Sequence, residues 1–162
     1  MKRFIKSLVL VAIFVGMAMP SWGQASPSTE GRDFWVTFLR AADDDPTELK
    51  LTISALEACQ VTISNSTTGF NRTLNVAANS AVELVMAKAD CYSSNSETPT
   101  NTALHVTSTK DISLFAGNYR DKSFDATNVL PTAALLDDYL IQTYPPSDHD
   151  NKPQGSHFAI IA

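Results

Sequence analysis

The sequence predicts an all-β protein, an antiparallel β-sandwich-like domain, and three observations carry this prediction. Apolar and polar residues alternate along several segments, as in the run Leu49, Leu51 and Ile53, which is typical of strands with one buried and one solvated face. Turn residues separate these segments at short intervals, as in sandwich folds. The third observation is the near absence of helical periodicity, since only residues 132–138 suit a helix, and a short one.

The strands follow one another along most of the chain. The turn residues 66–69 (STTG) predict a hairpin between the alternating segment 59–64 and its return strand. Asn79 and Ser80 predict a second turn, and residues 121–125 a third, while residues 41–46 and 92–101 are predicted to be loops. The predicted strands are 34–39, 49–54, 59–64, 70–76, 82–86, 104–106, 112–116, 139–144 and 156–162.

The first strand carries more aromatic rings than one face of a strand holds. Phe34, Trp35 and Phe38 cannot all point the same way, because side chains alternate along a strand. At least one ring is therefore expected outside the core. There it offers a contact surface for sugar or protein, or packs beneath parts of the domain that follow Ala162.

The first 25 residues read as a signal peptide. Lys2, Arg3 and Lys6 form a positive segment, and residues 8–19 are apolar. Pro20 and the small residues after it suit cleavage, so the mature chain is expected to begin between Gln24 and Ser26. A transmembrane anchor is the alternative, but the apolar run is shorter than the roughly 20 residues that span a bilayer. We expect an exported protein, extracellular or on the cell surface, with no membrane span in its mature chain.

Residues 26–162 are expected to form one domain. The run 158–162 is apolar up to its last residue, with no turn or polar cap. Natural proteins avoid such an open, apolar strand edge. We therefore expect the domain to be incomplete at this end and to continue into downstream domains of the same protein.

The charge balance excludes some partners. Of the 12 basic residues three precede Gln24, whereas all 17 acidic residues follow it, so the remainder carries nine basic against 17 acidic residues, a net charge of −8. A domain with this negative charge repels phosphate backbones and anionic membranes. Nucleic-acid binding is therefore not expected.

Two cysteines are present, Cys59 and Cys91. In an exported chain they suit a single disulfide, which is our prediction. Two buried free thiols are the alternative. The sequence has neither the C-x-x-C spacing nor the neighbouring histidine that a reactive thiol pair or a metal site would need.

Candidate chemistry is sparse, and we expect no enzyme, no catalytic or metal-binding residues and no cofactor. His105, His149 and His157 are too scattered for metal-ligand spacing, and His105 is predicted to face solvent from its strand. Asp43, Asp44 and Asp45 lack the spaced pattern of a calcium loop, so a charged loop is expected. The asparagines of the two N-x-S/T sequences, 65–67 and 71–73, are expected to be ordinary polar residues rather than glycosylated ones.

Several segments together give the chain a family resemblance. Residues 31–38 (GRDFWVTF), just after an export signal, resemble the opening of the IgGFc-binding protein N-terminal domain family. Residues 125–131 (DATNVLP), the following Tyr139 and residues 143–146 (TYPP), and the ending 158–162 (FAIIA) resemble it as well. The resemblance implies the front module of a large secreted or surface protein. The compact export signal and the low number of cysteines favour a bacterial source. The family takes its name from binding to the Fc part of immunoglobulin G. No short motif for contact with Fc can be transferred to residues of this sequence.

Two functions are therefore expected. The first is a non-catalytic binding or adhesion module that contacts host glycoprotein, immunoglobulin or mucus components. The second is a structural spacer in a large surface protein whose ligand binding lies elsewhere.

Overall fold

The computed structural model describes residues 28–40, 48–94, 97–120, 123–143, 147–149, 152–154 and 156–161. The predicted signal peptide (1–25) and the acidic loop with Asp43, Asp44 and Asp45 lie outside these residues. The elements in chain order are β1 Gly31–Val36, β2 Phe38–Leu39, β3 Glu48–Ala55, β4 Cys59–Asn65, β5 Phe70–Val76, β6 Ser80–Met86, α1 Lys88–Cys91, β7 Tyr92–Ser93, β8 Leu104–Arg120, β9 Ser123–Val129, a 3-10 helix Thr132–Ala134, β10 Ser147–His149 and β11 Lys152–Gln154. Among the described residues, no helix has the length and apolarity needed to cross a membrane.

The 17-residue strand β8 organises a seven-stranded antiparallel sheet. The first half of β8 lies between β1 and β4, and the second half lies between β9 and β3. Strands β1 and β9 are on one edge of β8, and β4 and β3 are on the other. Strand β5 extends the sheet beyond β4, and β6 extends it beyond β3. The two halves of the sheet thus share one continuous central strand.

The sheet bends where β8 passes from one set of partners to the other. Asp33 pairs with Thr107, but Gly31 pairs with Ile112, so β8 carries extra residues at this point of the ladder. Such an irregularity increases the local twist and bend of a strand. Two exposed ion pairs, Arg32–Asp111 and Lys110–Glu57, lie at the bend. The main sheet is therefore curled, and two small two-stranded sheets, β2–β7 and β10–β11, accompany it among the described residues.

One hydrophobic core lies inside the curl. Alternate residues of β3 (Leu49, Leu51 and Ile53) are buried, and those between them are not. The even-numbered apolar residues of β8 are buried in both halves of the strand, so both halves contribute to the same cluster. The period-2 pattern of the sequence thus sets the inner face, and the predicted all-β class is confirmed.

Two predicted strands are a single element, and the longest strand that was missed is β9; the short strands β7, β10 and β11 were also not predicted. The polar residues 107–111 interrupt the apolar pattern and suggested a break, but they form the bend of the continuous strand β8. Residues 123–129 form β9, although 121–125 were predicted to be a turn. Only one residue of β9, Val129, is buried, so its sequence carries no clear alternation.

The other corrections concern short helices and the last segments. The predicted helix 132–138 is reduced to the 3-10 helix Thr132–Ala134, while α1 falls next to a region predicted to be a loop. Residues 139–143 and 156–161 are not strands, although their apolar residues suggested it. Among the described strands none pairs with either segment, and a strand needs a partner for its backbone groups.

Candidate ligand-binding cleft

A stacked aromatic pair lies on the outer face of the first half of the sheet. Trp35 in β1 pairs directly with His105 in β8, and the alternation that buries Phe34 turns both rings outward. The ring centroids are 4.3 Å apart and the planes are 7° from parallel. Trp35 is 43% exposed, whereas Phe34 is fully buried. The predictions that one ring of the first strand lies outside the core and that His105 faces outward are both confirmed.

A carboxylate fixes the orientation of this pair. Asp33 lies two residues before Trp35, on the same face of β1, and its Oδ2 is 2.8 Å from Nε2 of His105. The hydrogen bond holds the imidazole ring in its stacked position. A rigid flat surface with a polar edge is therefore available to a ligand.

Hydroxyl and amide groups continue this face across the sheet. The pairing places two rows side by side on its outer surface, and in one row the hydroxyls of Thr62 and Thr73 lie 3.3 Å apart. The rows are Trp35, His105, Ser64 and Asn71, and beside it Asp33, Thr107, Thr62 and Thr73. An aromatic ring flanked by many donors and acceptors suits a polyhydroxylated ligand.

A cleft of about 710 Å³ opens beside the aromatic pair. Trp35 and His105 form part of one wall, and the β4–β5 turn and residues 97–103 contribute further lining. Residues 158–161 complete the lining. The volume lies within the roughly 300–1,000 Å³ of ligand sites, and the lining contains more polar than apolar residues.

The buried Asn65 holds three parts of the cleft together. Its Nδ2 donates to the backbone oxygens of Asp90 (2.8 Å) and Asn101 (2.9 Å). Its Oδ1 accepts from the backbone N–H groups of Thr67 (2.9 Å) and Thr68 (3.2 Å). The hairpin turn, α1 and the loop before β8 are thereby fixed to one side chain.

A second polar cluster supports the floor of the cleft. The hydroxyl oxygen of Thr37 lies 3.2 Å from the backbone oxygen of Cys91 and 3.3 Å from that of Thr102. Thr100 donates to the Ser93 hydroxyl at 3.1 Å and lies 3.0 Å from the hydroxyl of Thr102. The loop that lines the cleft is thus connected to the strand ends beneath it.

The predicted disulfide is absent, and Cys59 and Cys91 are buried free thiols. Cys59 begins β4, whereas Cys91 follows Asp90, whose oxygen is bonded to Asn65 at the other end of β4. A seven-residue strand is about 20 Å long, and a disulfide requires Cα atoms within about 7 Å. The fold therefore separates the two cysteines by most of the length of a strand.

The Cys91 thiol is held in its protonated form. Its Sγ donates to the backbone oxygen of Ala87 at 3.3 Å. Burial, with a smaller contribution from the charge of Asp90, raises its pKa to about 12. A protonated, buried thiol is a poor nucleophile, so Cys91 packs the interior beneath the cleft.

The other candidate residues do not come together. His157 lines a separate cavity of about 440 Å³ with Asn118 and Asp125, and His149 lies on β10. No group of three or more potential metal ligands converges within the described ranges. Of the two N-x-S/T asparagines, Asn65 has its side-chain amide fully engaged and buried, whereas Asn71 is exposed on β5.

Two of the segments that carry the family resemblance lie together. Strands β1 and β9 run along the same edge of β8, opposite to β3 and β4. Where they approach each other, Gly31 contacts Pro131 so closely that a Cβ on Gly31 would overlap the proline ring.

The sequence alone did not identify Asp33 or the Asn65 clamp. The alternation in β1 and β8 predicted which positions are exposed, but the hydrogen bond between Asp33 and His105 depends on the strand register between residues 72 positions apart.

In comparisons with known proteins, no family model, no curated protein and no solved structure matched the chain.

Proposed function

We propose that this chain is a non-catalytic binding module of an exported, cell-surface or secreted protein, and that it contacts glycoproteins through their glycans. Host glycoproteins, immunoglobulin and mucus components all carry such chains. The observation that carries the proposal is the Trp35–His105 stack at the edge of the cleft. Trp35 is 43% exposed beside the cleft, and the stack together with the Asp33–His105 hydrogen bond holds the two rings in one orientation.

Three features of the site support a sugar as the ligand. The flat ring presents a surface for the apolar face of a pyranose, and the hydroxyl and amide rows beside it provide directional hydrogen bonds. Both are on strands, so little order is lost when a ligand binds. The acidic balance of the chain disfavours nucleic acid as the partner.

We also propose that the chain is a member of the IgGFc-binding protein N-terminal domain family. The support is the motif resemblance, together with the packing of residues 31–38 and 125–131 along one edge of β8. The positively charged and apolar start of the sequence supports export.

The test is binding of the purified chain to immobilised glycoproteins and to a glycan array. Trp35→Ala should weaken binding more than tenfold, because a central aromatic contact typically contributes over 1.4 kcal/mol. Phe115→Ala is the matched control, since this aromatic is similarly exposed but lies on the outer face of the second half of β8. Equal loss in both variants, or no binding by the parent chain, would favour the structural-spacer alternative.

A further inference from the structure

We propose that the cleft selects uncharged glycans and discriminates against sialylated and sulfated ones. This inference rests on the proposed function and adds the chemical class of ligand. It follows from the charges that line the cleft.

The charges that reach the cleft are negative or balanced. Glu97 lines it, and Asp33 is bonded to His105, which also lines it. A protonated His105 would be neutralised by Asp33, and a neutral His105 would leave Asp33 as an additional negative charge. In either state the described lining retains the negative charge of Glu97, and none of its residues is Lys or Arg.

Nearby cations on the same strands are engaged elsewhere. Arg32 in β1 is 2.6 Å from Asp111, and Lys110 in β8 is 2.9 Å from Glu57. Both pairs lie at the bend of β8, and neither residue lines the cleft. A sialic acid carboxylate or a sulfate in the cleft would therefore meet the negative charge of Glu97, and no Lys or Arg of the described lining offsets it.

The size of the discrimination follows from Coulomb's law. One negative charge about 6 Å from another in water weakens binding by roughly threefold. The charge of Glu97, which remains in either state of His105, therefore gives about a threefold ratio between a neutral glycan and its singly charged counterpart. Since the Debye length falls to about 4 Å at 0.5 M salt, that ratio should shrink toward one as salt is added.

The experiment uses an array that carries each neutral N-glycan beside its sialylated and sulfated counterparts, at low and high salt. Glu97→Gln should narrow the neutral-to-sialylated ratio by about threefold at low salt, because it removes the charge that lines the cleft and keeps the shape of the side chain. The matched control is Glu30→Gln, which removes an exposed carboxylate that does not line the cleft and should not change the ratio.

The outcomes separate this inference from the proposed function. Equal or tighter binding of sialylated glycans that is still lost in Trp35→Ala overturns the charge selectivity and leaves the binding function standing. Discrimination that resists both salt and Glu97→Gln has a steric origin and overturns it as well. If no glycan binds, or Trp35→Ala has no effect on binding, the proposed function fails and the inference fails with it.

Discussion

Replacing Asn65 with alanine should destabilise the fold more than any other single polar substitution around the cleft. The change removes four hydrogen bonds at once, two donated to Asp90 and Asn101 and two accepted from Thr67 and Thr68. A typical bond contributes about 0.5–1.5 kcal/mol net, which gives about 2–6 kcal/mol for the set. The two accepted bonds share one oxygen, and water from the cleft can reach some freed groups, so we expect about 3 kcal/mol.

A loss of that size is a large part of a typical stability of about 5–15 kcal/mol. It corresponds to more than a hundredfold in the unfolding equilibrium constant, and to a melting temperature about 10 °C lower. Urea denaturation followed by far-ultraviolet circular dichroism measures the free energy of unfolding directly. The slope of that free energy against urea should stay the same, because the surface exposed on unfolding is unchanged.

The control is Asn75→Ala, which removes the same amide from an exposed position in the adjacent strand β5. It should cost less than about 0.5 kcal/mol, as surface substitutions usually do. A loss below 1 kcal/mol in Asn65→Ala, or an equal loss in both variants, would show that this side chain does not hold the hairpin turn, α1 and the loop together.

Three further predictions concern the thiols and the contact between β1 and the 3-10 turn. When the protein is denatured without reductant, both thiols should react with a thiol reagent, whereas in the native protein they should react slowly. If the denatured protein has no reactive thiol, the two cysteines form a disulfide after all. Because burial raises the pKa of Cys91 to about 12, the folded state keeps a proton that the unfolded chain loses above pH 9, so the free energy of unfolding should fall between pH 9 and 12. Cys91→Ala should flatten that fall in urea titrations at successive pH values, and an unchanged profile would contradict the assignment. Gly31→Ala should lower the melting temperature by several degrees, because its Cβ would overlap Pro131. Gly69→Ala is the comparison for removing a glycine, because a positive φ rather than crowding limits the side chain there. An unchanged melting temperature in Gly31→Ala would refute the close contact.

The inner face of the sheet was predictable from the sequence, because burial follows a period of two in β3 and β4. Leu49, Leu51 and Ile53 alternate with polar residues without interruption. The hairpin between β4 and β5 was predictable for a similar local reason, since Gly69 supplies the positive φ that its turn requires. Both signals lie within a few residues.

The cleft was less predictable, because it is assembled by long-range contacts. Asn65 ends an alternating strand in phase with apolar residues, and nothing local distinguishes it from a core position. The polar residues at the bend of β8 resemble a loop in sequence and become a strand only through their partners on neighbouring strands. A disulfide was predicted because the chain has two cysteines, Cys59 and Cys91, and is expected to be exported. The length of β4 keeps the two cysteines apart.

The long strand β8 also governs the order in which this chain can fold. Strands β1, β3 and β4 are complete by Asn65, but each pairs with β8, which begins only at Leu104. Until that strand is available, the segments before it can form only the β4–β5 hairpin and the β3–β6 pair of the main sheet, and non-local pairing of this kind makes folding slow. Because β8 belongs to both halves of the sheet, neither half can unfold while the other stays intact. The domain should therefore fold late and as one cooperative unit.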